Sequence, residues 1–172
     1  MLVKIIDISY NGSGVAKRAG KTIFIPQTDI GEEVDVEIAK SMSKFDIGRV
    51  VEVVKASPFR TSPPCPYYGK CGGCSFQHLT YERELSLKKQ ILQNELKKAG
   101  YIGDIDIEPS EDSYYYRNKI KLTYKQGQLG YISALSHNFI NIKSCLLAES
   151  DILNAIHTVE EYLIKYSYSH LK

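Results

Sequence analysis

No stretch of the chain stays apolar for the roughly 18 residues that a membrane-crossing helix needs. Residues 1–9 alternate apolar and polar side chains and lack the continuous apolar core of a secretory signal. Low-complexity tracts and internal repeats are also missing, which excludes collagen and, with 43% hydrophobic residues, disorder. Tryptophan is absent, and so is any large excess of one charge. The net charge of +2 is too small for bulk electrostatics to announce a nucleic-acid binder. Cysteine is scarce, at four residues in 172, which excludes a disulfide-dense miniprotein. What remains is an ordinary globular composition, long enough for one domain or two small ones. The expectation is a cytoplasmic monomer with no membrane partner.

The first 57 residues read as a small all-β unit. Strands are predicted at residues 3–8, 15–18, 22–25, 34–38 and 47–54, set apart by Asn11-Gly12-Ser13-Gly14, Ala19-Gly20 and Pro26. Val34, Val36 and Ile38 alternate with charged residues, the period of a half-buried strand. Five strands at this spacing point to a closed OB-like β-barrel. Basic and acidic residues number eight each here, so the unit is neutral. Residues 56–68 then hold four of the six prolines, which obstructs helix and central strand alike and marks a domain junction.

Residues 58–172 read as a second, α+β domain, opening with the Pro-rich junction and a cysteine loop at 58–79. A helix is predicted over 80–99, with Thr80 as N-cap, Glu82 and Glu84 at its positive end, Lys97 and Lys98 at its negative end, and Gly100 as its stop. Tyr81, Leu85, Leu92, Leu96 and Ala99 form its expected apolar face. Strands at 105–107, 116–124, 129–132 and 139–142 make an antiparallel sheet. A second helix near 150–166 is expected to bury Ile152, Ala155, Ile156, Val159, Leu163 and Tyr166.

The four cysteines are Cys65, Cys71, Cys74 and Cys145. Without a secretory signal they read as metal ligands rather than disulfides. Three thiols on one loop and a fourth from a distance is an iron–sulfur spacing. Structural zinc more often uses two paired C-x2-C units, and only Cys71 and Cys74 form one. Gly69, Gly72 and Gly73 suit a loop that wraps a cluster, since they allow left-handed backbone and close amide approach. Zinc and four unrelated buried thiols remain as alternatives. His78, four positions beyond Cys74, reads as packing locally, and His137, His157 and His170 show no ligand spacing.

The run Cys65-Pro66-Tyr67-Tyr68-Gly69-Lys70-Cys71-Gly72-Gly73-Cys74-Ser75-Phe76-Gln77-His78-Leu79, with Tyr81 after it, resembles the cluster loop of RNA uracil-5-methyltransferases. Tyr116-Arg117-Asn118-Lys119, Leu129-Gly130-Tyr131 and Cys145 extend the resemblance. So do Gly12, Gly14, Val15, Gly20, Lys21, Phe24, Pro26, Gly31 and Glu32, which resemble a TRAM domain. Leu146 and Ile30 stand where family members commonly have proline. The resemblance implies an S-adenosylmethionine-dependent transfer of methyl to uridine C5, with a 4Fe-4S cluster on the four cysteines. The pairing of TRAM and cluster implies the branch that acts on 23S ribosomal RNA. The family's Rossmann-like catalytic domain has no counterpart in the pattern, and no thiol is left over as a nucleophile. The chain therefore reads as the N-terminal, RNA-recognising part of such an enzyme, inactive alone, with S-adenosylmethionine bound only by the full-length parent.

Two basic surfaces suggest RNA contact. Residues 113–148 hold no acid but carry Arg117, Lys119, Lys121, Lys125 and Lys143. The first four share strand parity and form a stripe able to meet phosphates. In the first unit, Lys17, Arg18 and Lys21 with Phe24 resemble a TRAM RNA-contact surface. The plain alternatives are a solvated sheet face for the stripe and isolated surface lysines that serve solubility for the first unit. The competing functions are a small iron–sulfur electron carrier and a stand-alone zinc- or cluster-containing RNA-binding protein.

Overall fold

The computed structural model of the chain describes residues 1–133, 136 and 138–166; His137 and His170 lie outside them. Two compact units emerge, one of residues 1–64 and 75–109, the other of residues 65–74 and 110–172. No helix among the described residues is long and apolar enough to cross a membrane.

The first unit contains β1 (Leu2–Lys4), β2 (Asp7–Ile8), β3 (Gly14–Arg18), β4 (Lys21–Ile25), β5 (Glu33–Ser41), β6 (Phe45–Lys55) and α1 (Tyr81–Lys98). The six strands form one mixed sheet in the order β1-β5-β6-β4-β3-β2. This corrects the expected five-stranded closed barrel. The predicted first strand breaks at Ile5–Ile6, so β1 pairs with β5 at one edge and β2 pairs with β3 at the other. In addition, β4 and β6 run parallel. Alternating apolar residues identify strands but say nothing about which edges meet, and that is where the expectation failed.

The alternation does set the core. Val3, Ile5, Ala16, Ile23, Ile25, Val34 and Val36 point to one side and pack together. Ala19 and Gly20 both take positive φ (47° and 80°), the backbone that matches a two-residue hairpin turn to strand twist. Helix α1 begins where Thr80 accepts the Arg83 amide at 3.4 Å, with Glu82 and Glu84 in its first turn and Lys97 and Lys98 in its last. Its buried face differs from the expected one. Leu87 is fully buried with Ile8 and Leu79, Ile91 packs alongside, and Leu92 stays half exposed.

The second unit contains β7 (Thr123–Lys125), β8 (Gln128–Ile132), β9 (Phe139–Asn141) and α2 (Ser150–Lys165), the strands in antiparallel order β7-β8-β9. The expected strand at 116–124 shrinks to β7, leaving an isolated parallel bridge between Arg117 and Ala148. Residues 105–107 form no strand. Gly130 is required by packing, because a Cβ there would sit 2.1 Å from the Ile140 carbonyl oxygen. Helix α2 buries Ile156 as expected, yet Val159 and Tyr166 are exposed. A carboxylate takes part in its inward face instead. Glu160, 6% exposed, accepts the Leu129 amide at 2.8 Å and Lys143 Nζ at 3.3 Å.

Candidate functional site

All four cysteines fall in the second unit, and all are half-buried free thiols. The loop bearing three of them is a chain of tight turns. Tyr68 N donates to Cys65 O, while Lys70 N and Cys71 N both donate to Tyr67 O, at 3.0–3.1 Å. Gly69 and Gly72 take left-handed φ of 76° and 72°, which β-substituted residues rarely adopt. The Gly73 amide lies 3.5 Å from Cys71 Sγ, an N–H directed at sulfur. Tyr67 ties the loop to the segment that carries the fourth thiol: its hydroxyl accepts the Lys143 amide at 3.0 Å, two residues before Cys145.

The segment after Cys145 is held by residues 115–117. Tyr115 N and Arg117 N donate to Leu146 O and Leu147 O at 2.7 Å, and Glu149 N returns a bond to Arg117 O at 3.0 Å. Two side chains then sense several thiols at once. Tyr131 Oη donates toward Cys145 Sγ at 3.9 Å. Burial pushes its phenol well above the usual tyrosine value, and the charges of Cys145 and Cys71 push further the same way, with Arg117 opposing. Arg117 is held more firmly protonated by the Tyr116 side chain, and by the negative charges of Cys74 and Cys145. Its guanidinium also lies over the Tyr116 ring, 5.9 Å from the centroid.

Cys71, Cys74 and Cys145 thus share neighbours, but they do not close on a point. Among the described residues, no three His, Cys, Asp or Glu side chains form a group placed to hold a metal ion. The donor chemistry is nonetheless soft: free thiols, sulfur-directed N–H and O–H groups, and one adjacent cation suit thiolate-ligated clusters rather than hard cations. Tyr67 lies inside the cysteine run and Tyr131 inside Leu129-Gly130-Tyr131, but no sequence signal marks either as a partner of sulfur. Only the register of β8 with β9 shows why Tyr131 stands beside Cys145.

The residues expected to meet RNA are sorted differently from their sequence grouping. Lys17 and Phe24 stand on the outer face of the first sheet, opposite in parity to buried Ala16, Ile23 and Ile25. Arg18 and Lys21 have the other parity. Arg18 lies against Met1 Sδ, and Lys21 is engaged by Asp46 at 2.5 Å and Ser41 at 3.0 Å. In the second unit, Lys125 lies on β7, whereas Lys119 and Lys121 are exposed on non-regular backbone and Arg117 belongs to the cysteine site. His78 packs in the first unit, 2% exposed, its imidazole pushed down to about 4 by burial and by Arg60.

Residues 1–53 match the TRAM domain family. The chain is 33% identical, over 96% of its length, to an uncharacterized RNA methyltransferase of Clostridium tetani, and 32% identical, over 95%, to one of Bdellovibrio bacteriovorus. It spans 37% and 42% of those two relatives. Among solved structures it is similar to the Pyrococcus abyssi tRNA (uracil-54, C5)-methyltransferase in complex with S-adenosyl-L-homocysteine. That match has a TM-score of 0.69 and 24% identity, and covers 96% of this chain and 37% of the other, so the fold is shared. These shares also correct the expected absence of a Rossmann-like domain. The relatives run to more than twice the matched length, and a segment of this span says nothing of whether that domain accompanies it.

Proposed function

We propose that this chain is the RNA-recognising and cluster-bearing portion of an S-adenosylmethionine-dependent RNA uridine C5-methyltransferase. The similarity to RNA methyltransferases over nearly the whole chain supports the transferase reading, and the TRAM match supports RNA as partner. The observation that supports the cluster is the link between the three-thiol loop and the fourth cysteine. Tyr67 accepts the Lys143 amide at 3.0 Å, two residues before Cys145, and the Tyr131 hydroxyl stands 3.9 Å from Cys145 Sγ. Cys65, Cys71, Cys74 and Cys145 would hold a 4Fe-4S cluster, a structural group there rather than a reactant. Arg117 would offset part of the charge of four thiolates, and the Gly73 amide and Tyr131 hydroxyl would hydrogen-bond to sulfur. Lys17, Phe24, Lys119, Lys121 and Lys125 would meet the RNA, with Arg18 and Lys21 at the edge of the contact.

Ribosomal RNA, in the 23S branch, is the finer reading. Anaerobic purification tests the cluster. A brown protein with about four iron and four sulfide per chain is expected, lost in Cys71→Ala. A colourless protein with one zinc would replace the cluster by zinc, and neither metal would end the metal reading. Binding to 23S rRNA fragments and to tRNA, titrated against salt, tests the partner. Equal or stronger binding to tRNA would overturn the ribosomal reading, and no binding to either would overturn RNA recognition.

A further inference from the structure

The outer face of the first sheet carries an aromatic pair that neither hydrophobic core uses. Phe24 on β4 and Phe45 on β6 meet edge to face, ring centroids 5.4 Å apart and planes 75° apart. Both are half-buried, and neither belongs to either core cluster of the first unit. The parallel register sets Phe45 level with Thr22 and Phe24 level with Ile47, while Ile23, Ile25 and Gly48 turn to the buried side. The antiparallel registers continue the same rows outward. Lys17 pairs with Thr22, Val15 with Phe24, and Lys40 with Ile47. The pair is therefore bracketed by lysines on β3 and β5, and Lys44 lies in the turn just before Phe45.

The local charge is cationic once the acids are assigned. Asp46 is taken by Lys21 and Ser41, and Glu37 by Arg49. Lys17 and Lys40 are exposed and join no ion pair among the described residues. Partly exposed aromatic rings flanked by uncommitted cations are the arrangement that takes unpaired bases and their phosphates. A duplex hides its base faces and offers nothing to stack. A protein partner would find the apolar strip, but would need acidic groups placed for both lysines.

We propose that Phe24 and Phe45 form a base-stacking platform for single-stranded RNA, with Lys17 and Lys40 holding the phosphates on either side. The platform presupposes the RNA-binding function proposed above and adds Phe45 and Lys40 to it. It also centres the contact on one face of the sheet, with Arg18 and Lys21 at its edge.

Fluorescence anisotropy with a labelled single-stranded oligoribonucleotide of mixed sequence, and with its duplex, tests this on the whole chain. Phe24→Leu and Phe45→Leu keep an apolar side chain and remove the ring. Each is expected to weaken single-strand binding at least about fivefold, the effect of losing one base stack. Phe45→Tyr, which keeps a ring, is expected to bind like wild type. Lys40→Gln is expected to reduce the slope of log affinity against log salt by about 0.7, one released counterion. If both leucine variants bind like wild type, the platform is overturned while RNA binding by the chain stands. Duplex binding as tight as single-strand binding overturns it as well. If wild type binds no RNA at all, the functional reading fails first and the platform with it. Should a leucine variant melt well below wild type, Phe45→Tyr and Lys40→Gln decide: weakened Tyr binding together with an unchanged Gln slope refutes the platform.

Discussion

Replacing Glu32 by glutamine strikes the centre of the buried polar network in the first unit. The Glu32 side chain is 1% exposed and accepts four hydrogen bonds. Two come from Arg60 at 2.6 Å, and one each from the amides of Ser57 and Asp29 at 3.0 Å. Asp29 beside it is fully buried and paired with Arg83, Nη2 at 2.8 Å and Nε at 3.0 Å. A glutamine amide keeps the shape but accepts at one atom only, so part of this donor set loses its acceptor. The Arg60 guanidinium then keeps its charge and loses its counter-ion. Removing one member of a buried pair costs about 3–5 kcal/mol. Arg60 is 23% exposed and partly hydrated, which sets the expected loss near the lower end, about 3 kcal/mol. That is a large share of the roughly 5–15 kcal/mol of a typical domain. Urea unfolding followed by far-UV circular dichroism measures it, and a loss below about 1 kcal/mol would refute the network as a stabilising pair.

A pH series on the same two proteins checks the cause. Burial pushes the Glu32 carboxyl up, but the bonds from Arg60, Ser57 and Asp29 and the Arg60 charge outweigh it and leave it below the ordinary 4.5. Asp29 likewise sits below 3.8, burial being outweighed by Arg83, Ser57 and the Ile30 amide. Lowered acids bind fewer protons folded than unfolded. Their stabilisation is present above the unfolded values and is lost as pH falls through the folded ones. Wild type should therefore lose stability below about pH 4.5 more steeply than Glu32→Gln. Parallel curves would sink the explanation.

His78 acts earlier on the pH scale. Its folded value near 4 lies below the ordinary 6.5, so the unfolded chain takes up a proton that the folded one refuses. Stability should fall by about 2–3 kcal/mol between about pH 7 and 4.5, and His78→Gln should remove most of that slope. An imidazole titrating normally by NMR would contradict this. Gly130→Ala drives a methyl to 2.1 Å from the Ile140 carbonyl, a rigid backbone atom of the neighbouring strand. A loss of about 2 kcal/mol or more is expected, together with faster hydrogen exchange at Tyr131 and Ile140. Exchange unchanged from wild type would show that β8 and β9 accommodate the methyl without parting, and would refute the steric argument.

Much of the local structure was legible in the order of the residues. Thr80, the acids and lysines of α1, the Ala19-Gly20 turn and the alternation of Val34 and Val36 each act within a few residues, so sequence spacing reports them directly. The cysteine motif was legible for the same reason, three thiols on one short glycine-bearing loop. Long-range pairing was not. Nothing local says that the first strand splits between two sheet edges, or that β4 lies parallel to β6. Those pairings set Phe45 beside Phe24 and Lys40 level with Ile47. The strand expected at 116–124 shortened likewise, because residues 115–117 bond instead to the segment after Cys145.

By itself the sequence determined most strands of the first unit, the helix ends, the turn chemistry and the soft character of the sulfur donors. Only the tertiary structure decided which strands share an edge, which cations are already neutralised and which tyrosine stands beside which thiol. The first set depends on backbone sterics and on side chains a turn or a pleat apart. The second depends on contacts between segments distant in sequence, whose register is fixed by packing.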